Sequence, residues 1–191
     1  TIDAMVADGY THVAEGVAWA QRVLSPGLPF DESKGSSKDV KKVMILLTDG
    51  ENTFDTKLKN HNLSTYTAYG FLKQAPHRLG ASQFNDNQIS ARVSYGGLTT
   101  DAIGKQDAMM LKACLEAKKA DTVIYAFAYN VQSEKQKEML ENCASSGQKN
   151  EGEPTARISS KKYFFDTTSN LDLVQSFQAL ANELRPPYLS Q

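Results

Sequence analysis

Apolar positions along the chain alternate between two periods, and the alternation orders the elements. From His12 to Leu24, Val13, Val17, Ala20 and Leu24 fall on one face of a helix, which Ser25-Pro26-Gly27 ends. After a polar stretch from Asp31 to Asp39, the run Val43-Met44-Ile45-Leu46-Leu47 closes on Thr48-Asp49-Gly50. An uninterrupted apolar run bounded by a turn predicts a strand buried on both faces, read here as a central strand of a parallel sheet. From Gln106 the helical period returns with Ala108, Leu111 and Leu115. Asp121 to Tyr129 then predicts a second buried strand. Ser133-Glu134-Lys135-Gln136 has the form of a capping box and opens a helix expected to run to about Ala144. Tyr163-Phe164-Phe165 predicts a third strand. Leu173, Val174, Phe177, Leu180, Ala181 and Leu184 stripe a last helix, stopped by Pro186-Pro187.

Helix, strand, helix, strand, helix, strand, helix is an α/β order, and right-handed crossovers would make the strands parallel neighbours. One stretch breaks it. Residues 53–104 hold much of the Tyr, Asn, Ser and Gly without a sustained period, and are expected to form an irregular insertion; a loop of that length in a compact domain is usually functional or signals a misassigned element. Three strands make a poor sheet, because an apolar edge at Val43 to Leu47 would stand open. The rest of the sheet is expected upstream of Thr1, so residues 1–191 read as the C-terminal part of one domain.

Composition narrows the function. The 191 residues carry 21 Lys+Arg against 22 Asp+Glu, a formal charge of −1 that gives no ground for nucleic-acid or anionic-lipid binding. Mean hydropathy is −0.45, and the longest apolar run is far too short to span a bilayer. Three scattered histidines and two cysteines outside any CxxC pattern argue against a zinc site. Cys114 and Cys143 fall on the helices either side of the second strand, where they are either one disulfide or two buried thiols.

Ligands of open α/β sheets bind at the carboxyl ends of strands, and Thr48-Asp49-Gly50-Glu51-Asn52 lies at such an end. Asp49 is therefore the leading functional carboxylate, although an Asp-Gly pair also serves as a plain turn. Thr11, at the head of the first helix, is explained equally well as its N-cap. Together, a hydroxyl and a carboxylate are a donor pair suited to a hard cation such as Mg²⁺. An enzyme using Asp49 in metal-assisted phosphoryl transfer is the alternative, but the chain has neither a G-x-x-x-x-G-K-[ST] loop nor a G-x-S-x-G elbow.

The segments Gly9-Tyr10-Thr11-His12-Val13-Ala14-Glu15-Gly16-Val17-Ala18-Trp19 and Val43 through Asn52 resemble the second and third metal-site motifs of a von Willebrand factor A (vWA) domain. The Glu15-Gly16-Val17-Ala18-Trp19 helix, the Tyr66-Thr67-Ala68-Tyr69-Gly70 stretch and Asn142-Cys143-Ala144-Ser145 are similar, more narrowly, to bacterial TadG-like proteins of tight-adherence (Tad) pilus assembly. The resemblance implies a Rossmann-like vWA fold, a parallel sheet flanked by helices and lacking its N-terminal strands. It also implies a non-enzymatic adhesion module of the bacterial envelope. In such a site Thr11 and Asp49 would bind Mg²⁺, and a protein partner's carboxylate would complete the shell. The family's first motif, Asp-x-Ser-x-Ser, is absent: Asp31-Glu32-Ser33-Lys34-Gly35 lacks its last serine. Asp166-Thr167-Thr168-Ser169-Asn170 also departs there and reads as the capped start of the last helix. With so few fixed oxygens Mg²⁺ would bind weakly. Glu51, Asn52, Tyr66 and Tyr69 are the candidate partner-facing residues, although the insertion's aromatics would equally pin the loop onto the domain. The resemblance further implies an extracytoplasmic chain, anchored in the inner membrane through a preceding segment, and tips the cysteines toward a disulfide.

Overall fold

The computed structural model describes residues 10–35, 37, 40–54, 66–75, 77–80, 83–85, 88–89, 101–145 and 163–184. These fall into two compact units, one of Thr1–Lys42 with Gly50–Thr122 and one of Val43–Asp49 with Val123–Gln191.

In the first unit, α1 (Val13–Leu24) buries Val13, Ala14 and Val17. A short antiparallel hairpin joins β2 (Tyr66–Thr67) to β3 (Gly70–Phe71), with Tyr66 opposite Phe71 and Thr67 opposite Gly70. Helix α2 (Ala102–Lys119) starts four residues earlier than the period predicts, because the side chain of Asp101, fully buried, accepts the Gly104 N–H at 2.6 Å and caps it. Its inward face also differs from the expected stripe. Ile103, Asp107, Met110, Cys114 and Ala117 are buried, whereas Ala108 and Leu115 are exposed. The described part of the insertion is not structureless. Phe54, Tyr69, Leu72, Leu79, Phe84 and Ile89 form a core with Ala102 and Ile103, so these residues bury their apolar side chains against one another and the start of α2.

In the second unit the strands lie in the order β1 (Lys42–Thr48), β4 (Thr122–Tyr129), β5 (Phe164–Thr167). β4 and β5 are parallel, registered from Ala126 opposite Phe164 to Tyr129 opposite Thr167, and the connection between them carries α3 (Glu134–Cys143). The serine half of the capping box is present, Ser133 Oγ accepting the Gln136 N–H at 3.3 Å. Helix α4 (Asn170–Leu184) follows β5. Ser169 opens it as expected, accepting the Asp172 N–H at 3.2 Å while its hydroxyl donates to the Asp172 carboxylate at 2.7 Å. Phe127 of β4 stacks between Phe165 and Phe177 with ring centroids 4.5 Å from each. This aromatic stack, with Tyr125 and Leu180, is the unit's core.

β4 is buried on both faces as its sequence predicts. β1 is not: Ile45 and Leu47 are each nearly half exposed. Among the described residues β1 ends the strand order with only β4 beside it, and an end strand with one neighbour has fewer side chains to cover it than a central one. Among these three strands β1 thus carries the open apolar edge expected of it. Cys114 and Cys143, the two cysteines of the chain, are disulfide-bonded.

Candidate functional site

The site begins where two segments of the first unit lie side by side, residues 10–13 and residues 50–54. Three contacts hold them together. The Thr53 N–H donates to the Thr11 carbonyl at 3.0 Å. The Val13 N–H donates to Asn52 Oδ1 at 2.8 Å. A Cβ built on Gly50 would stand 3.4 Å from Thr11 Oγ1, so the threonine hydroxyl rests against the bare face of the glycine. Gly50 does not have a left-handed backbone; it is the close approach to Thr11, rather than the turn, that uses the missing side chain. Asp49, exposed, is the residue preceding Gly50 in the chain.

From Gly50 the chain alternates. Asn52 and Phe54 point inward and are buried, while Glu51 and Thr53 are half-buried. Phe54 enters the insertion core and meets Tyr69 edge-on, ring centroids 6.5 Å apart. Asn52 Nδ2 donates to Asp107 Oδ1 of α2 at 2.8 Å and lies 4.0 Å from the Met110 sulfur. Asn52 is therefore internal. With 1% of its surface exposed and both ends of its amide bonded, it does not present the partner contact expected of it.

The first turn of α1 is completed by side chains, but not by the expected one. His12, not Thr11, is the N-cap, its Nδ1 accepting the Glu15 N–H at 3.0 Å. The Thr11 hydroxyl is consequently not spent on capping. The His12 ring packs on Tyr69, centroids 5.1 Å apart. Burial, the largest influence, holds the imidazole below its ordinary pKa, outweighing the opposite effects of a backbone hydrogen bond and of Glu15. Burial also pushes the Tyr69 phenol up to about 12, helped by the Glu15 charge. Tyr69 is 4% exposed and serves to pin the insertion. Tyr66, by contrast, is exposed and packs one ring face on Phe71, centroids 4.9 Å apart.

On the outer face of α1, Trp19 donates its indole N–H to Glu15 at 2.9 Å and lies under the Arg22 guanidinium at 4.7 Å. Asp107 was not among the sequence candidates. The only signal for it was a carboxylate three residues before Met110 on the same helix.

Among the described residues, no group of three or more His, Cys, Asp or Glu side chains is placed to share a metal ion. A hydroxyl at Thr11 and a carboxylate at Asp49 are hard oxygen donors of the kind Mg²⁺ takes, but two such donors leave most of an octahedral shell to water or to a partner.

No protein-family profile matches the sequence, and no curated protein does. Solved structures do. The chain is similar in fold to the pilus adhesin SpaC from Lactobacillus rhamnosus GG, with a TM-score of 0.53 and 17% identity over 94% of this chain and 20% of that one. The open conformation of SpaC scores 0.52. The vWF domain of the type V pili tip protein Mfa5 from Porphyromonas gingivalis matches with a TM-score of 0.51 and 14% identity, over 99% of this chain and 73% of that one. The chain thus has a vWA-like α/β fold, and it spans about a fifth of the length of SpaC.

Proposed function

We propose that this chain is a non-enzymatic protein-binding module of a bacterial surface assembly, an adhesion domain serving Tad pilus biogenesis. Its contact surface would centre on Thr11 and Asp49. The observation that carries the reading is the free Thr11 hydroxyl against Gly50: the side chain the motif needs is released from helix capping by His12 and left beside the residue that follows Asp49. Thr11 and Asp49 would offer oxygens to a Mg²⁺ ion held weakly, and a partner carboxylate would add the ligand that makes binding tight. What the ion would supply is charge: it would let a surface that carries the Asp49 carboxylate capture an acidic side chain. Half-buried Glu51 and exposed Tyr66 are the remaining expected contact residues. The disulfide suits an oxidising compartment and supports an extracytoplasmic setting, and no helix among the described residues is long and apolar enough to cross a membrane.

The test is surface-immobilised binding of the chain to purified Tad pilus subunits, in Mg²⁺ and in EDTA. Thr11→Ala and Asp49→Ala are expected each to weaken binding at least tenfold, as EDTA does, because removing one ligand of so small a set abolishes the cation. Binding that persists unchanged in EDTA and in both variants overturns the cation-dependent reading. Absence of binding to any pilus subunit overturns the assembly role.

A further inference from the structure

Asn52 has two hydrogen-bonding ends, and its two partners demand opposite ones. The Val13 N–H can only donate, so it takes Oδ1. The Asp107 carboxylate, 7% exposed, is acceptor-only when ionised, so it takes Nδ2. One orientation of the amide satisfies both, and the two partners select it together.

The chain of dependence then runs outward. Asp107 orients Asn52, Asn52 holds the first amide of α1, and Thr11 stands two residues before that amide. The neighbouring Thr53 N–H, one residue after Asn52, holds the Thr11 carbonyl. Both fixings of the Thr11 segment thus sit on, or next to, a side chain governed from α2. Charge-assisted hydrogen bonds between buried partners are the strong ones, and α2 is a long helix whose start is capped by Asp101, so the reference point is rigid.

We propose that Asp107 is a positioning residue: acting through Asn52, it sets where the Thr11 backbone and hydroxyl stand. Its functional meaning rests on the reading of Thr11 as a cation ligand. The placement itself is a separate claim and is tested separately. The arrangement makes Asp107, a buried residue away from the contact surface, a control point for adhesion.

The experiment uses the full chain, isotope-labelled for NMR, as the parent and as Asp107→Ala and Asp107→Asn. Amide hydrogen exchange reads the placement, and Mn²⁺ line-broadening reads the cation. Asp107→Ala is expected to speed exchange of the Val13 and Thr53 amides by roughly tenfold, the loss of one buried hydrogen bond's protection. Amides in the second half of α2 should keep their rates. Asp107→Asn, which can still offer an oxygen to Asn52 Nδ2, should recover most of that protection. Mn²⁺ broadening of the Thr11 resonances should weaken in Asp107→Ala and return in Asp107→Asn. Unchanged exchange at Val13 and Thr53 in Asp107→Ala overturns the proposal, as does acceleration spread evenly along α2, which would make Asp107 merely a helix-stabilising group. If Asp107→Ala does not fold, the parent alone decides: the Asn52 side-chain NH₂ protons should exchange slowly, and free exchange overturns the proposal. No Mn²⁺ effect at Thr11 in the parent overturns the cation reading instead, while the exchange rates still judge the placement.

Discussion

Replacing Asn52 by alanine is the sharpest challenge to this account of the site, because the side chain closes two buried bonds at once. Its loss leaves the Val13 N–H without its acceptor at 2.8 Å and takes the donor at 2.8 Å from the Asp107 carboxylate. An abandoned buried backbone donor costs about 1–3 kcal/mol, and a lost hydrogen bond to a charged group about 1.5–3 kcal/mol. The two losses share one cavity, which water can enter, so they do not add in full. A net destabilisation of about 3–4 kcal/mol is expected, a large share of the roughly 5–15 kcal/mol that holds a domain together. Urea denaturation followed by circular dichroism measures it as a fall in midpoint at constant slope. A companion variant separates the causes. Asn52→Asp keeps an acceptor for Val13 but sets a second carboxylate against Asp107, so it should be strongly destabilised at neutral pH and recover as the pH falls and one of the pair takes a proton. A loss below about 0.5 kcal/mol for Asn52→Ala, the range of an ordinary surface substitution, would refute the reasoning. So would an Asn52→Asp stability that ignores pH.

Three further predictions follow from other parts of the chain. Because burial lowers the His12 pKa, the unfolded chain binds more protons there than the folded one between the folded value and about 6.5, so His12 stability is present above that window and lost as the pH falls through it; His12→Asn, which keeps a capping acceptor, should show a flatter dependence of unfolding free energy on pH in acid. Tyr69 and Tyr125, both pushed up to about 12 chiefly by burial, should leave part of the phenolate absorbance at 295 nm missing until strong alkali, and Tyr69→Phe with Tyr125→Phe should remove that late fraction. Cys114 and Cys143 are buried, so a mild reductant should leave the bridge intact until the chain unfolds, and replacing both with alanine should lower stability by roughly 3–4 kcal/mol on the chain-entropy estimate for a loop of this length; modification of both thiols in native, unreduced protein would contradict this.

Much of the architecture was legible in the residues. The buried run of β4, the serine caps at Ser133 and Ser169 and the likeness of Val43–Asn52 to a vWA motif all lie in short local patterns whose physics does not depend on distant partners. The inward face of α2 was not legible. Its real stripe passes through Asp107 beside Gln106, and a hydrophobic period cannot register a polar residue as buried when the reason for its burial, the Asn52 amide, lies 55 residues away. The same holds for Asn52, whose place in an exposed-looking Asp-Gly-Glu-Asn turn hides that both ends of its amide are used internally. Capping was misassigned by one residue: Thr11 and His12 can each accept an amide hydrogen bond, and the packing of the His12 ring on Tyr69 favours the histidine.

The residue order by itself determined the alternation of helices and strands, the chemistry available at Thr11 and Asp49, and the presence of an aromatic-rich interruption, because each depends on neighbours within a few residues. Tertiary structure alone decided which polar groups are spent on the fold and which stay available: it took Asn52 and Tyr69 inside, gave the cap to His12, and left the Thr11 hydroxyl against Gly50. The physical reason is that a hydrogen bond's partner is chosen by proximity in space, and a buried polar group that finds one ceases to be a surface for anything else.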